Sequence, residues 1–215
     1  YEHTSGALKL FYNWGKHHIN DGYGTGEEPL NYRFNSKDRM TGVSWYQSTS
    51  LFTGNRLTVG LDYMRFGGEA WNRFITDRHK ENISDKSENE IAGYVDFRQT
   101  IGSHLIIDAG IRADHHTVSG TEWIPQVGLS VQLPHNASLK AMASKGFRNP
   151  TIRELYMFRP ANPDLLPERL WNYELSYSQR LFDQTFYYGV NLFYINGDND
   201  PDYPHRRTSA ERKHR

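Results

Sequence analysis

The side chains able to do chemistry fall into four groups. Two histidine pairs, His17-His18 and His115-His116, offer imidazoles that bind metals or carry protons. Neighbouring residues of an extended chain point to opposite faces, so neither pair forms a chelate alone, and both read as solvated loop residues. The acidic residues Glu27, Glu28, Asp77, Asp85, Glu88 and Glu90 match no calcium-loop spacing. Asp108, Arg112 and Asp114 share one face of an extended segment, and Glu174 and Arg180 share the polar face of another. Ion pairs lining a hydrated interior suit them better than a pair of catalytic carboxylates. In the fourth group, Arg148, Arg153, Glu154 and Tyr156 lie in one stretch that either contacts a ligand or anchors itself. The 215 residues include no cysteine, which excludes thiolate nucleophiles, disulfides and cysteine-held zinc or iron–sulfur sites. No P-loop, Gly-x-Ser-x-Gly or dinucleotide fingerprint occurs. The expectation is a protein that is not an enzyme and holds no metal or cofactor.

The elements that position these groups are strands. Lys and Arg number 25 against 25 Asp and Glu, a balance that argues against a nucleic-acid binder or a basic membrane-surface protein. Mean hydropathy is −0.77 and no apolar run is long enough for a membrane helix. Membrane strands remain compatible, because they alternate and average out polar. The opening Tyr-Glu-His-Thr-Ser-Gly lacks the pattern of a signal peptide, so either the protein is not exported or this chain does not begin its gene. Period-two alternation recurs throughout. Leu57, Val59, Leu61 and Tyr63 alternate with Arg56, Thr58, Gly60 and Asp62, and Leu105, Ile107, Ala109 and Ile111 alternate with Asp108, Gly110 and Arg112. About nine such segments are expected, most roughly 10 residues long, which exceeds ordinary globular strands.

Turns at Phe52–Asn55, Ile101–His104, Leu133–Asn136 and Phe182–Gln184 are short and rich in turn residues. The expected connections between them, 15–37, 66–90, 115–121 and 146–170, are longer. Short and long connections alternate, so the short turns fall at one end of the strands, as in a membrane β-barrel. The apolar phase of the nine segments carries no Asp, Glu, Lys or Arg, as a lipid-facing surface requires. Trp14, Trp45, Phe66, Trp123, Trp171 and Tyr194 near segment ends suit interfacial girdles. A soluble sandwich or lipocalin-like barrel also alternates, but strand length and loop asymmetry count against it.

Residues 144–156 read Ser-Lys-Gly-Phe-Arg-Asn-Pro-Thr-Ile-Arg-Glu-Leu-Tyr, and 162–168 read Asn-Pro-Asp-Leu-Leu-Pro-Glu. This resembles the barrel of TonB-dependent outer-membrane receptors, in which a Gly-Phe-Arg-x-Pro stretch leads to an Asn-Pro-x-Leu-x-Pro-Glu segment. The matching positions are Gly146, Phe147, Arg148, Pro150, Asn162, Pro163, Leu165, Pro167 and Glu168. Gly146 permits a bend as the strand leaves the sheet, and Pro150 and Pro163 hold Asn149 and Asn162 extended. Glu168 can pair with Arg148, Arg153 or Arg169.

The resemblance implies an all-β fold, an antiparallel up-and-down transmembrane β-barrel that is partial here, about nine strands of a larger 22-stranded barrel. It also implies a Gram-negative outer membrane, lipid contact, and TonB-energised uptake of a ferric siderophore, haem or cobalamin. Nucleic acid is not an expected partner. Residues 1–198 read as barrel, and 199–215 as a non-barrel tail of frameshifted or truncated origin. The plug domain, through which the TonB complex acts, is not in this sequence, so the isolated chain is not expected to transport. The alternatives are a passive outer-membrane porin or adhesion barrel and a soluble β-rich binding module.

Overall fold

The computed structural model describes residues 4–21, 26, 28–157, 161–183 and 185–198; Glu27 and the 199–215 tail lie outside them. Nine strands form one antiparallel sheet in strict chain order: β1 (Thr4–Ile19), β2 (Tyr32–Thr49), β3 (Asn55–Phe74), β4 (Lys80–Ile101), β5 (Leu105–His116), β6 (Gly120–Leu133), β7 (Ala137–Arg148), β8 (Glu168–Leu181) and β9 (Phe186–Asp198). A π-helical turn, Arg153–Met157, interrupts the β7–β8 connection. The tight turns after β2, β4, β6 and β8 all lie at one end of the sheet, here the turn end. Left-handed residues close them, including Gly54 at φ 74° and Asn136 at φ 55°. The opposite, loop end carries the remaining connections.

Two expectations about length are corrected. The strands run from 12 to 22 residues, not about 10. The expected 66–90 loop is mostly ladder, because β3 and β4 stay paired from Phe66↔Glu88 up to Arg73↔Lys80. Only 75–79 connect them, and only 117–119 connect β5 to β6. Alternation is enforced where one face meets hydrocarbon. Above that level both faces meet water, so a strand continues there without the pattern that reveals it. Long connections remain at 20–31 and 149–167.

The cross-strand register carries the outward phase around the sheet. One row runs Leu8–Trp45–Leu61–Gly93–Ala113–Trp123, and another runs Ala109–Val127–Ala143–Tyr173–Tyr194. Among the described residues the only buried hydrophobic ones are Ala70, Ala92, Ala137 and Leu155, while Leu10 is 72% and Val190 56% exposed. A single sheet with an apolar face and no core has to be covered by something apolar. Phe66 departs from the girdle expected of it, since it sits in the inward phase and stacks on His116 with ring centroids 5.8 Å apart.

The inward phase is polar and cross-linked. Arg112 bridges Asp62 and Asp114, Ser44 donates to Asp62 at 2.6 Å, and Arg98 pairs with Asp108. The interior ion pairs expected of Asp108, Arg112 and Asp114 are therefore present. The β6–β7 ladder stops at Gln126↔Ser144, next to Pro125, which has no amide hydrogen to give. Neighbouring ladders continue to Gly120 and Arg148, which leaves a split at the loop end. Glu122 fills it, bound to Lys145 at 2.9 Å and to Arg169.

Candidate functional site

The β7–β8 connection builds the most elaborate feature of the loop end. Contrary to the expected bend, Gly146 stays in the ladder opposite Leu170, whose side chain packs where a glycine side chain would begin. The chain leaves the sheet after Arg148, at Asn149-Pro150, where proline ends the ladder. Thr151 and Glu154 then form a reciprocal cap. The Thr151 amide and hydroxyl donate to Glu154 Oε2 at 2.7 and 2.8 Å, and the Glu154 amide donates back to Thr151 Oγ1 at 3.3 Å. This Thr-x-x-Glu cap starts the Arg153–Met157 turn, whose Leu155 is fully buried. Asn162 closes an Asx-turn onto the Asp164 amide at 3.0 Å, and Pro167, also buried, returns the chain to β8.

Arg148 ties the two ends of this loop together. Its guanidinium takes both oxygens of Glu154 at 3.1 Å and also binds Glu168. Of the three arginines able to pair with Glu168, the structure selects Arg148. The guanidinium beside Glu154, with the Thr151 donors, holds that carboxyl down at about 2. Arg148 and Glu154 are thereby committed to the loop's own architecture.

Arg153 and Tyr156 are placed differently. The loop folds inward across the concave face, where Asn149 donates to Glu90 on β4 at 3.3 Å. Its first residues wall a groove of about 680 Å³ lined by Met40, Met64, Phe66, Asn149, Arg153 and Met157, among others. Tyr156 receives Lys86 over its ring at 5.1 Å. Of the four candidate residues, then, two bind each other, one lines the groove and one meets a strand lysine. Sequence reasoning missed Met40, Met64 and Phe66. Their signal was available, since each is apolar in the phase otherwise given to polar residues.

The histidines divide between faces as an extended backbone requires. His115 bonds Thr121 at the outward surface, and His17 meets Asp38 at 2.9 Å while His18 meets Asn35. His116 turns inward, with its side chain only 2% exposed and Nε2 3.1 Å from the equally buried Glu88. The Val118 and Ser119 amides donate to His116 Nδ1, so the neutral ring carries its proton on Nε2, facing Glu88. That contact has ion-pair distance without hydrogen-bond alignment. Among the described residues no group of three His, Cys, Asp or Glu side chains converges on one point.

A long-stranded antiparallel wall with an apolar outer face, a polar inner face and an inward-folded loop defines the class of membrane β-barrel. The match to known families is narrower. Residues 1–205 fit the family described as TonB dependent receptor-like, beta-barrel, and the chain belongs to that family. It is 28% identical over 142 residues to the vitamin B12 transporter BtuB of Photobacterium profundum, a match covering 66% of this chain and 22% of the relative. It is also 28% identical over 134 residues to an iron-regulated outer membrane virulence protein of Vibrio cholerae, covering 55% and 20%. The fold matches the ferric enterobactin receptor PfeA of Pseudomonas aeruginosa with a TM-score of 0.74 at 16% identity, over 93% of this chain and 33% of that one. These matches span about a fifth of each curated relative and a third of the receptor structure. By name, the first of these is a transporter and the last a receptor.

Proposed function

We propose that this chain forms part of the wall of a Gram-negative outer-membrane receptor for TonB-energised uptake of a scarce, large nutrient. The ligand class is a ferric siderophore, haem or cobalamin. The observation that carries this reading is the β7–β8 loop, folded inward and fixed to β4 through Asn149 and Glu90, in a chain of this family. In a barrel the loop end faces the outside, so Arg153 and Tyr156 stand where an incoming ligand first meets the lumen. Arg148 and Glu154 hold that loop, and Arg153 lines the groove with Met40, Met64 and Phe66 and with the carboxylates of Asp38, Glu69 and Glu90. A large ligand with an apolar body suits that combination. Contact with the TonB complex belongs to parts of a receptor other than these strands, and the nine strands alone do not transport.

Uptake of radiolabelled ferric siderophores, haem and cobalamin by cells carrying the receptor tests this. One ligand should accumulate only when TonB is present. An Arg153→Ala/Tyr156→Ala pair should lower its cell-surface binding about tenfold at unchanged receptor level, the loss expected from about 1.4 kcal/mol. Accumulation that is indifferent to TonB would instead favour a passive porin.

A further inference from the structure

The split between β6 and β7 divides the loop end of the wall into two panels, β1–β6 and β7–β9. Its cause is local. The Gln132 amide donates to the His104 carbonyl beside β5, so even residues of β6 bond toward β5 and odd ones face β7. Pro125 is odd, and its missing amide falls on the β7 side. On β7 the Asn136 carbonyl accepts from the Arg180 amide beside β8, so there too the odd residues face the split. Beyond the last pair, Gln126↔Ser144, the backbone groups of Thr121, Trp123, Lys145 and Phe147 are turned to a strand they do not pair with.

One carboxylate bridges the gap that the ladder leaves. Glu122 lies opposite Asp114 in the inward phase, whereas Lys145, opposite Trp171, and Arg169, opposite Phe147, belong to the outward phase. Glu122 therefore reaches through the split, accepting from Lys145 Nζ at 2.9 Å and from Arg169 Nε at 2.8 Å. Its side chain is 6% exposed, a burial that a carboxylate sustains only while charged donors hold it. Arg148, which a continued ladder would set opposite Glu122, is committed to Glu154 and Glu168. That anchor of the β7–β8 loop lies within the β7–β9 panel. The loop docks on the other panel, through Asn149 to Glu90 and Tyr156 to Lys86, both on β4. The loop thus spans the split.

We propose that the split is the hinge of the β7–β8 loop and that Glu122 is its positioning residue. While Glu122 holds Lys145 and Arg169, the β7–β9 panel is drawn against β6 and the loop stays seated on β4, walling the groove. When that clasp releases, the panels part above Gln126↔Ser144, Asn149 and Tyr156 leave β4, and the groove opens toward the loop end. The inference deepens the receptor reading above and rests on it.

The test is pulsed electron paramagnetic resonance on the full-length receptor in lipid vesicles, spin-labelled at Val118→Cys and Leu166→Cys. Both positions are exposed, one on each side of the split, and the 215 residues contain no cysteine of their own. Wild type should give one dominant distance. Glu122→Gln should raise the population at longer separation about tenfold, the effect of losing charge-assisted bonds to a buried group. Glu174→Gln, which removes an inward carboxylate on the turn side of the split, should leave the distribution unchanged. Pro125→Val supplies the missing amide on the β7 side, and added to Glu122→Gln it should suppress the longer distance. A merely structural loss at Glu122 would not be rescued in this way. If Glu122→Gln fails to fold, as judged by heat-dependent gel mobility, Lys145→Gln should still raise that population about threefold. An unchanged distribution in these variants, or no rescue by Pro125→Val, would overturn the hinge. The uptake assay reads the receptor assignment separately: absence of TonB-dependent accumulation, with the distance change present, would sink that assignment alone.

Discussion

At the scale of single residues, Glu154 decides how the β7–β8 loop responds to acid. Its folded value of about 2 lies below the ordinary 4.5, so its contribution is complete above about 4.5 and is lost as the pH falls through 2. Pepsin cleavage of 149–167, measured against cleavage of 20–31 in the same sample, should accelerate over that window. Glu154→Gln removes the pairing with Arg148 at every pH. Because this pair is partly exposed, the loop should lose only about 1 kcal/mol and open about fivefold more often. Relative cleavage at pH 5 would then already match that of wild type at pH 2, and an unchanged ratio would disprove the anchoring role. The sequence exposed much of this arrangement. Thr151-x-x-Glu154 is legible as a helix cap, and Arg148 was among the named partners of Glu168. The burial of His116 against Glu88 was not legible, because it requires β3 and β4 to stay paired through a stretch whose residues do not alternate. Phe66 was misplaced because its aromatic type was weighed above its phase, which already set it with the polar residues of β3.

At the scale of elements, the two phases of each strand carry opposite tolerances. Val127 is outward in β6 and 52% exposed to what should be hydrocarbon, whereas Ser130 is inward, opposite Lys140. Val127→Lys should cost about 2–4 kcal/mol of folding stability in a bilayer, and Ser130→Glu should cost little, since it meets Lys140 in a hydrated interior. Urea unfolding in vesicles would measure both. Similar losses at the two positions would contradict the assignment of faces. This part of the fold was the most legible, because exclusion of charge from one phase is a strong physical filter that repeats in every strand. Strand length was the least legible. Hydrocarbon imposes alternation over only part of β3 and β4, and nothing in residue type marks the water-exposed remainder as ladder.

At the scale of the whole molecule, the described residues draw their stability chiefly from the ladders and from polar cross-links between strands. With only three alanines and Leu155 as buried hydrophobic residues among those described, the sheet relies on lipid for the burial that other folds obtain from a core. The isolated chain should therefore aggregate in water and disperse only in detergent or lipid, as sedimentation with and without detergent would show. A monodisperse, cooperatively melting monomer in plain buffer would refute the membrane fold. The strand order adds a constraint of direction. β1 and β9 both run from the turn end to the loop end, since nine is odd and every neighbour is antiparallel. Joining β9 to β1, within one sheet or between identical copies inserted the same way, would make a parallel seam, with slanted and slightly weaker bonds. A ring of copies is disfavoured for that reason. Sealing this wall with antiparallel bonds alone takes an odd number of further strands, the first and last of which both travel from the loop end to the turn end.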